Sequence, residues 1–379
     1  MRQSLHDAWW RLATTSQPHT CSDTVLGSAL QGGALLYELG VAARNHAYDQ
    51  GWAKPVRLGC PVISVGNLTV GGTGKTACVE LLTNNIQRLG TRVAILSRGY
   101  GGRLRGPYAL VREGNRLLLD GQPIPGQDGL ADEPQLLAAR LPGVPVLVGR
   151  RREQTGAQAC ERFQAQALIL DDGFQYRRLH RDCDVVLINA RMPLGGWALL
   201  PRGPMREPLR ALRRADILII TKADQTLSML AAMQERLKAI HPEAIIATAS
   251  HEPSGLSDDV THEAVALDRL VDRKVSALSS IGDPEGFEET LRRLGASLVG
   301  TVRYPDHHRY RAEEWAAIAR QAASSEAEAL LTTEKDAIRL RPFWQAHTPP
   351  LPVWVLHVEM RLLSGQELVD ARLARVCGR

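Results

Sequence analysis

From residue 56 onward, short apolar runs alternate along the chain with stretches whose apolar residues recur at helical spacing. The apolar runs predict buried strands at residues 61–65, 93–96, 144–148, 167–170, 185–188, 217–220, 244–247, 275–278, 298–302, 330–332 and 353–358. The amphipathic stretches predict helices at residues 76–89, 133–140, 151–163, 227–240, 286–294, 312–323 and 365–376. Strands that alternate with helices are typical of a parallel sheet covered on both faces, so we predict an α/β fold.

Two segments interrupt this alternation and suggest how the chain is divided. Between residues 108 and 119, Gly114-Asn115 and the following Asp120-Gly121 predict turns of a small antiparallel excursion. Residues 191–215 are rich in Pro, Gly and Arg and are the best candidate linker. We therefore expect a core domain at residues 56–190, to which residues 352–379 return, and a second α/β domain at residues 210–350.

Residues 1–55 are the least regular part of the chain. Within residues 25–41, Leu26, Leu30, Tyr37 and Val41 fall on one helical face, which predicts an amphipathic helix. The stretch is too short and too polar for a good membrane-spanning helix. It therefore predicts either a membrane-associating helix at the lipid interface or a helix packed on the domain. The first ten residues are polar and do not resemble a secretory signal.

The composition is that of an ordinary globular protein, with 44% hydrophobic and 23% charged residues. Aromatic residues make up only 5% of the chain, so we do not expect a broad base-stacking surface for nucleic acid. The net charge is +5, and the cationic side chains are mainly arginine because the chain has only six lysines. The six cysteines are scattered without metal-ligand spacing and predict free thiols in a reducing compartment.

A glycine-rich segment lies between the strand predicted at 61–65 and the helix predicted at 76–89. It reads Gly-Asn-Leu-Thr-Val-Gly-Gly-Thr-Gly-Lys-Thr from Gly66 to Thr76, with Thr69 where the strict phosphate-loop motif has glycine. Backbone N–H groups of such a loop, and the positive end of the following helix, bind phosphate oxygens. Lys75 is then expected at the β- and γ-phosphates and Thr76 at Mg²⁺. The predicted nucleotide-binding residues are Thr69, Val70, Gly71, Gly72, Thr73, Gly74, Lys75 and Thr76.

Two carboxylates, Asp171 and Asp172, end the strand predicted at 167–170. Carboxylates at the carboxyl end of a parallel strand, beside a phosphate loop, are typical of a Mg²⁺ site. We predict Thr76, Asp171 and Asp172 as this site, although such a site does not need both carboxylates as direct ligands. The alternative is a turn at the end of the strand.

A phosphate loop alone does not separate a kinase from a nucleotide-dependent switch or metallochaperone. Residues 221–224, Thr-Lys-Ala-Asp, weakly resemble a guanine-binding element, so the switch stays open at this point. Taken singly, Asp132-Glu133-Pro134 is typical of a helix start. In the same way, residues 306–308 are typical of a surface loop and residues 97–103 of a flexible basic turn.

Together and in this order, the motifs resemble those of the tetraacyldisaccharide 4′-kinase family, the lipid A pathway kinases of Gram-negative bacteria. The matching stretches are residues 62–76, 97–101, 132–134, 171–175, 206–208, 306–308 and 333–336. The resemblance implies a P-loop NTPase-like sheet domain and a second, smaller α/β/α domain, with the active site in the cleft between them. It also implies transfer of the γ-phosphate of ATP, with Mg²⁺, to the 4′-hydroxyl of tetraacyldisaccharide 1-phosphate, giving lipid IVA. A kinase for another glycolipid is the alternative.

The resemblance also implies roles for individual residues. Asp132 matches the catalytic aspartate, His307 matches the histidine thought to pair with it, and Lys75 serves catalysis at the phosphates. The residues implied to bind substrate are Arg98, Tyr100, Glu133, Arg206 and Glu207. Residues 333–336, Thr-Glu-Lys-Asp, match another family motif, but their types do not reveal its role.

The chain departs from the family pattern in three places. Ala131 stands where glycine is usual, Tyr176 stands where histidine is common, and residues 195–202 replace a run that usually contains Gly-Asn-Gly. Because the implied substrate is acylated, we expect peripheral attachment to the anionic cytoplasmic face of the bacterial inner membrane. We expect no nucleic-acid partner and no obligate protein partner.

Overall fold

The computed structural model describes residues 21–104, 106–114, 116–123, 129–191, 198–346 and 349–378, and the side chains of these residues except 21–26 and 345. The chain divides into two compact units. The first unit comprises residues 1–98, 151–250 and 361–379, and the second comprises residues 99–150 and 251–360. The chain therefore passes from one unit to the other four times.

Strands and helices alternate as the pattern predicts. The strands are β1 (Val62–Asn67), β2 (Val93–Ser97), β3 (Tyr108–Glu113), β4 (Arg116–Leu119), β5 (Gln122–Pro123), β6 (Val146–Val148), β7 (Ala167–Asp171), β8 (Cys183–Asn189), β9 (Ile217–Thr221), β10 (Ile245–Asp258), β11 (Ala264–Val265), β12 (Lys274–Ser279), β13 (Ser297–Arg303), β14 (Ala329–Thr333) and β15 (Val353–Ser364). The helices are α1 (Cys21–Asp49), α2 (Lys75–Arg88), α3 (Asp132–Arg140), α4 (Arg152–Arg162), α5 (Leu227–Ile240), α6 (Pro284–Arg293), α7 (Ala312–Ser324), α8 (Glu334–Ala346) and α9 (Gln366–Val376). The predicted α/β fold is confirmed, and most bounds lie within a few residues of the prediction. Three elements, β10, β15 and α1, are considerably longer than predicted, and α8 is a helix that the pattern did not predict.

A parallel sheet organises the first unit. Its strand order is β10-β9-β8-β1-β7-β2, and every neighbouring pair runs parallel. All six residues of β1 are buried, as expected for a central strand with both faces covered. Helix α2 packs on β1 and β7, and α4 packs on β2. The carboxyl ends of β1 and β7 therefore lie side by side, which brings the phosphate loop next to the residues that follow β7.

The second unit contains a parallel group of strands and an antiparallel one. The parallel strands follow the order β13-β12-β14-β15. Along β14, Ala329 and Leu331 belong to one apolar cluster and Leu330 to another, because successive strand residues face opposite sides. The antiparallel strands follow the order β6-β3-β4-β5, which confirms the predicted excursion around residues 108–119. Helices α3 and α8 pack against each other.

The two units do not follow the predicted domain ranges. Residues 210–250 lie in the first unit because β9 pairs in parallel with β8, and residues 99–150 lie in the second unit. The proline- and arginine-rich segment, whose composition predicts a linker, folds back onto the phosphate loop. Val70 N donates to Pro204 O at 2.8 Å, and Arg206 N donates to Leu68 O at 2.7 Å. Backbone hydrogen bonding, which composition does not reveal, decides where this segment belongs.

Helix α1 packs on the first unit along one side and is exposed along the other. Val41 is buried and the Tyr37 hydroxyl donates to Arg206 O at 3.0 Å, whereas Leu36 and Leu39 are 73% and 66% exposed. In the part of the chain that the structure describes, no helix combines the length and apolarity needed to cross a membrane. Residues 1–20 of the predicted membrane-associating segment, and residues 195–197 of the atypical 195–202 stretch, lie outside the described residues.

Candidate active site

The phosphate loop leads from the buried end of β1 into the first turn of α2. Gly71 and Gly74 have φ angles of 109° and 84°, which strongly favour glycine, and Gly74 caps the helix that begins at Lys75. Gly66 must lack a side chain for another reason, because a Cβ there would lie 2.5 Å from Cβ of Phe174. The loop therefore has the backbone that its sequence predicts, with a helix N-terminus at its end.

Lys75 and Arg206 meet at one carboxylate. Lys75 Nζ lies 3.6 Å from Asp172 Oδ1 and donates to Asn67 Oδ1 at 3.4 Å. Arg206 Nη1 donates to both oxygens of Asp172 at 2.9 Å. Burial raises the pKa of Asp172, but the charges of Lys75 and Arg206 outweigh it and leave the pKa lowered. Two predicted cations and one predicted metal ligand thus form a single charged cluster beside the loop.

Other polar groups around the loop are held in place or lack a partner. Asp171 Oδ2 accepts a hydrogen bond from Ser97 Oγ at 3.1 Å, and Gln175 Nε2 donates to Asn67 O at 2.9 Å. The hydroxyl of Thr73 and the amide nitrogen of Asn67 are buried without a hydrogen-bond partner among the described residues. Buried polar groups are normally paired, so these two donors fit a loop that is completed by a bound ligand.

Arg152, which the sequence did not single out, brings a further cation to this unit. It is the first residue of α4, is 5% exposed, and lies over the ring of Tyr176 at 4.3 Å from the centroid. Burial lowers the pKa of Arg152, opposed by its interactions with Tyr176, Asp172 and Asp171. The Tyr176 hydroxyl donates to Glu153 Oε2 at 2.5 Å. Tyr176, one of the departures from the family pattern, therefore holds Arg152 near the two aspartates.

A second cluster forms at the N-terminus of α3 in the second unit. Asp132 Oδ2 lies 3.6 Å from His307 Nδ1 and 2.7 Å from Arg339 Nε. The ring of Tyr100 packs edge-on against that of His307, with centroids 5.7 Å apart. The first contact is longer than a hydrogen bond, and the second is an ion pair without hydrogen-bond geometry. The structure thus brings together the predicted residues Asp132, His307 and Tyr100.

The charges around Asp132 favour its ionised form. Burial raises the pKa of this carboxyl group, but His307 and the Arg339 charge outweigh it, so the pKa is lowered. Next to it, Glu133 Oε1 accepts a hydrogen bond from Lys335 Nζ at 2.7 Å. Burial lowers the pKa of Lys335, but Glu133 and Asp306 outweigh it and the pKa is raised. Both carboxylates at the start of α3 are therefore paired with a cation.

The remaining predicted substrate-binding residues differ in their surroundings. Arg98 and Tyr100 are exposed just after the end of β2. Glu207 is fully buried, and its carboxylate is within hydrogen-bond distance of Arg44, Asn45 and Arg214 at 3.2, 3.0 and 2.9 Å. This placement favours a role in anchoring α1 over direct contact with a substrate.

Comparisons with known proteins show the family to which the chain belongs. A family model described as tetraacyldisaccharide-1-P 4′-kinase matches residues 27–377. A tetraacyldisaccharide 4′-kinase of Syntrophus aciditrophicus is 44% identical over 336 residues, which cover 87% of each chain. The corresponding protein of Geobacter sulfurreducens is 36% identical over 369 residues, which cover 97% of this chain and 98% of the relative.

A solved structure gives the same result at the level of fold. The crystal structure of LpxK from Aquifex aeolicus in complex with ATP is similar with a TM-score of 0.70 and 32% sequence identity. The similarity covers 93% of this chain and 99% of that chain. Because a family model and full-length relatives both match nearly the whole sequence, the chain belongs to the tetraacyldisaccharide 4′-kinase family.

Proposed function

We propose that this protein transfers the terminal phosphate of ATP to the 4′-hydroxyl of tetraacyldisaccharide 1-phosphate, giving lipid IVA. One observation carries the proposal: a chain of this family forms both a phosphate loop next to paired cations and a separate carboxylate–histidine cluster. The first cluster is suited to binding a nucleotide, and the second is suited to orienting a hydroxyl group. Neither a switch nor a metallochaperone needs the second cluster.

The donor side is assigned to the first unit. The loop amides and the N-terminus of α2 bind the phosphates, and the Lys75 ammonium neutralises charge that develops on the transferred group. Before nucleotide binds, Lys75 and Arg206 are held by Asp172. When a triphosphate enters, Lys75 can exchange its 3.6 Å contact with that carboxylate for the phosphate oxygens, while Arg206 keeps Asp172 in place.

The residues beside the loop also fit Mg²⁺. Asp171, Asp172 and the Thr76 hydroxyl offer hard oxygen donors, which this cation prefers. Asp171 accepts a hydrogen bond from Ser97, and the pKa of Asp172 is lowered, so Asp172 is suited to hold a cation in its ionised form. Mg²⁺ held by these residues would neutralise negative charge on the phosphates during transfer.

The acceptor side is assigned to Asp132. Phosphoryl transfer has a loose transition state, so little proton removal is needed early in the reaction. A carboxylate with a lowered pKa is a weak base, but it is a good hydrogen-bond acceptor for a hydroxyl group. We therefore assign Asp132 to orienting the 4′-hydroxyl and taking its proton late, with His307 steadying the charge.

The direct test is incubation of the purified protein with ATP, Mg²⁺ and tetraacyldisaccharide 1-phosphate, followed by mass spectrometry of the lipid. The expected product is heavier by one phosphate, and Lys75→Ala should not form it at a comparable rate. A panel of other glycolipid acceptors tests the alternative substrate. ATP hydrolysis without any lipid product would contradict the proposal.

We also propose that α1 attaches the protein to the cytoplasmic face of the inner membrane. Leu36 and Leu39, exposed on the side of α1 that does not pack on the unit, support this proposal together with Leu35 and Trp52, which are 54% and 76% exposed. Exposed apolar side chains on an amphipathic helix enter the boundary between headgroups and acyl chains. Lys54 and Arg57, which are exposed just after α1, favour anionic lipid.

Attachment is tested with the combined variant Leu35→Ser, Leu36→Ser and Leu39→Ser in a flotation assay with vesicles that contain anionic lipid. We expect binding to fall about tenfold, because each buried apolar side chain contributes to partitioning. Leu227→Ser on α5 is the matched control, because Leu227 is 72% exposed in the same unit. Unchanged binding of the α1 variant, or an equal loss in the control, would contradict the assignment.

A further inference from the structure

The motif at residues 333–336 had no role that its residue types could reveal, and the structure gives it one. Three ion pairs join α8, which begins within the motif, to α3. Glu334 pairs with Arg140, Lys335 pairs with Glu133, and Arg339, one turn beyond the motif, pairs with Asp132. The start of α8 is thereby fixed to both ends of the short helix that carries Asp132.

Arg339 is the most enclosed of these cations, with a side chain that is 7% exposed. Its Nη1 donates to Ser280 Oγ at 2.6 Å and to His308 O at 3.3 Å, and it lies 3.4 Å from Asp336 Oδ1. Its Nε lies 2.7 Å from Asp132 Oδ2 as an ion pair, without hydrogen-bond geometry. The guanidinium therefore connects the loop that carries His307 with the helix that carries Asp132.

Asp336, the last residue of the motif, contacts Arg339 at Nη1, whereas Asp132 lies at Nε. It is fully buried and accepts hydrogen bonds from Ser280 N at 2.9 Å, Tyr310 Oη at 3.0 Å and Thr333 Oγ1 at 2.7 Å. A carboxylate with this many donors has little freedom to move. The planar guanidinium between Asp336 and Asp132 is held through its Nη1, which bonds Ser280, His308 and Asp336, and a flexible ammonium does not match this shape.

We infer that Arg339 is a positioning residue for the phosphoryl acceptor: it fixes Asp132 through Oδ2 and so leaves Oδ1 to receive the acceptor hydroxyl. The assignment rests on the proposed kinase activity, because it gives Asp132 the acceptor. His307 Nδ1 also approaches Oδ2, so both neighbours lie nearest to the same oxygen of the carboxylate. Arg339 itself contacts no substrate under this assignment.

The charges that face Asp132 come from three segments. Glu133 lies beside it on α3, Asp306 and His307 lie on the loop that precedes α7, and Lys335 and Arg339 lie on α8 with Asp336 behind them. Lys335 is already paired with Glu133. Removing the Arg339 charge therefore leaves a half-buried carboxylate beside the His307 ring, whose Nδ1 lies 3.6 Å away, and the Asp132 pKa should rise.

The experiment compares Arg339→Met and Arg339→Lys in the full chain, with ATP, Mg²⁺ and the tetraacyl acceptor, across a range of pH. An ionised Asp132 is required, so activity is lost as pH falls through its pKa. In Arg339→Met this acid limb should move upward by about one to three pH units, because an opposite charge has been removed. We expect kcat to fall about 100-fold through loss of alignment, with KM for ATP unchanged. In Arg339→Lys the acid limb should return to its wild-type position, but kcat should recover only in part.

The matched control is Arg341→Met, two residues further along the same helix. Arg341 pairs with the buried Asp259 through Nε and Nη2, both at 2.7 Å. Its loss removes a comparable ion pair away from Asp132, so the acid limb should stay in place. The inference would be overturned if the acid limb of Arg341→Met shifted equally. It would also be overturned if Arg339→Met kept the wild-type acid limb and the wild-type kcat.

A measurement without turnover separates this inference from the proposed function. The Asp132 carboxyl carbon can be titrated by ¹³C NMR in the wild type, in Arg339→Met and in Arg339→Lys, with Asp132→Asn to assign the signal. The pKa should rise in the Met variant and return toward the wild-type value in the Lys variant. If this holds while the lipid is not phosphorylated, the kinase proposal fails and the coupling of Arg339 to Asp132 stands. If the pKa does not move, the inference fails whatever the activity is.

Discussion

The phosphate loop and the Asp132 cluster assemble their charged groups in different ways. The loop is one contiguous stretch, residues 66–76, and its Thr73 hydroxyl is buried without a hydrogen-bond partner among the described residues. The Asp132 cluster draws on α3, the loop at residues 306–308 and α8, and both carboxylates at the start of α3 are already paired with a cation. One centre is built mainly from neighbouring residues and their backbone groups, whereas the other depends on side chains that the fold brings together.

This contrast predicts how each centre responds to substitution. A loop built from backbone amides should depend on one irreplaceable side chain, because the remaining donors cannot be removed by mutation. A cluster of paired side chains should lose its function in smaller steps, because neighbours partly compensate for each loss.

The largest effect is expected at Lys75. Lys75→Ala should lower kcat about 1000-fold, because it removes the cation that neutralises the transferred phosphate. Lys75→Arg should recover little of this, since a planar guanidinium does not replace a compact ammonium inside the loop. The measurement is steady-state kinetics with Lys238→Ala, an exposed lysine on α5, as the control. Full activity of Lys75→Arg would contradict the expectation that the loop, unlike the Asp132 cluster, depends on one irreplaceable side chain.

A smaller effect is expected at Asp132. Asp132→Asn keeps the shape of the side chain but removes its charge, and kcat should fall about 100-fold with KM for ATP unchanged. The measurement is a comparison of kcat and both KM values with those of the wild type. A loss as large as that of Lys75→Ala would mean that proton removal limits the reaction, contrary to the role assigned to Asp132.

The smallest effect on catalysis is expected at Glu207, which the family resemblance placed among the substrate-binding residues. Glu207→Gln should lower the free energy of unfolding by about 3 kcal/mol, because Arg44 and Arg214 lose a buried partner. KM for the acceptor should stay unchanged while the protein is folded. Urea denaturation and kinetics measure the two effects separately.

The control for Glu207 is a second glutamate that pairs with an arginine in the same unit. Glu38→Gln removes an exposed contact with Arg210 at 3.6 Å, and its effect on unfolding should stay below about 1 kcal/mol. If Glu207→Gln instead raised KM for the acceptor at full stability, the residue would belong with the substrate contacts.

Local patterns were enough to predict much of this molecule. The alternation of apolar runs and amphipathic stretches indicated the strands and most helices, because burial on both faces and helical spacing leave a direct trace in the sequence. The phosphate loop was equally clear, since its glycines and Lys75 are contiguous. Asp132 and His307 could be paired only through resemblance to a family, because each alone is typical of a helix start or a surface loop.

Other features had no local trace. Arg339 is one of 40 arginines, and only the packing of α8 on α3 places it beside Asp132. Arg152 follows two other arginines in the sequence. It differs from them because it is buried and lies over the ring of Tyr176. The proline-rich segment resembles a linker in composition, yet its backbone hydrogen-bonds to the phosphate loop.

The sequence by itself determined the α/β fold, the position of the phosphate loop and the family, because each of these depends on residues that are close together or in a fixed order. Only the tertiary structure decided which residues form each unit, that Glu207 anchors α1, and that residues 333–336 lead into a helix whose cations hold Asp132 and Glu133. These facts depend on ion pairs and hydrogen bonds between distant segments, and such contacts form only when the chain is folded.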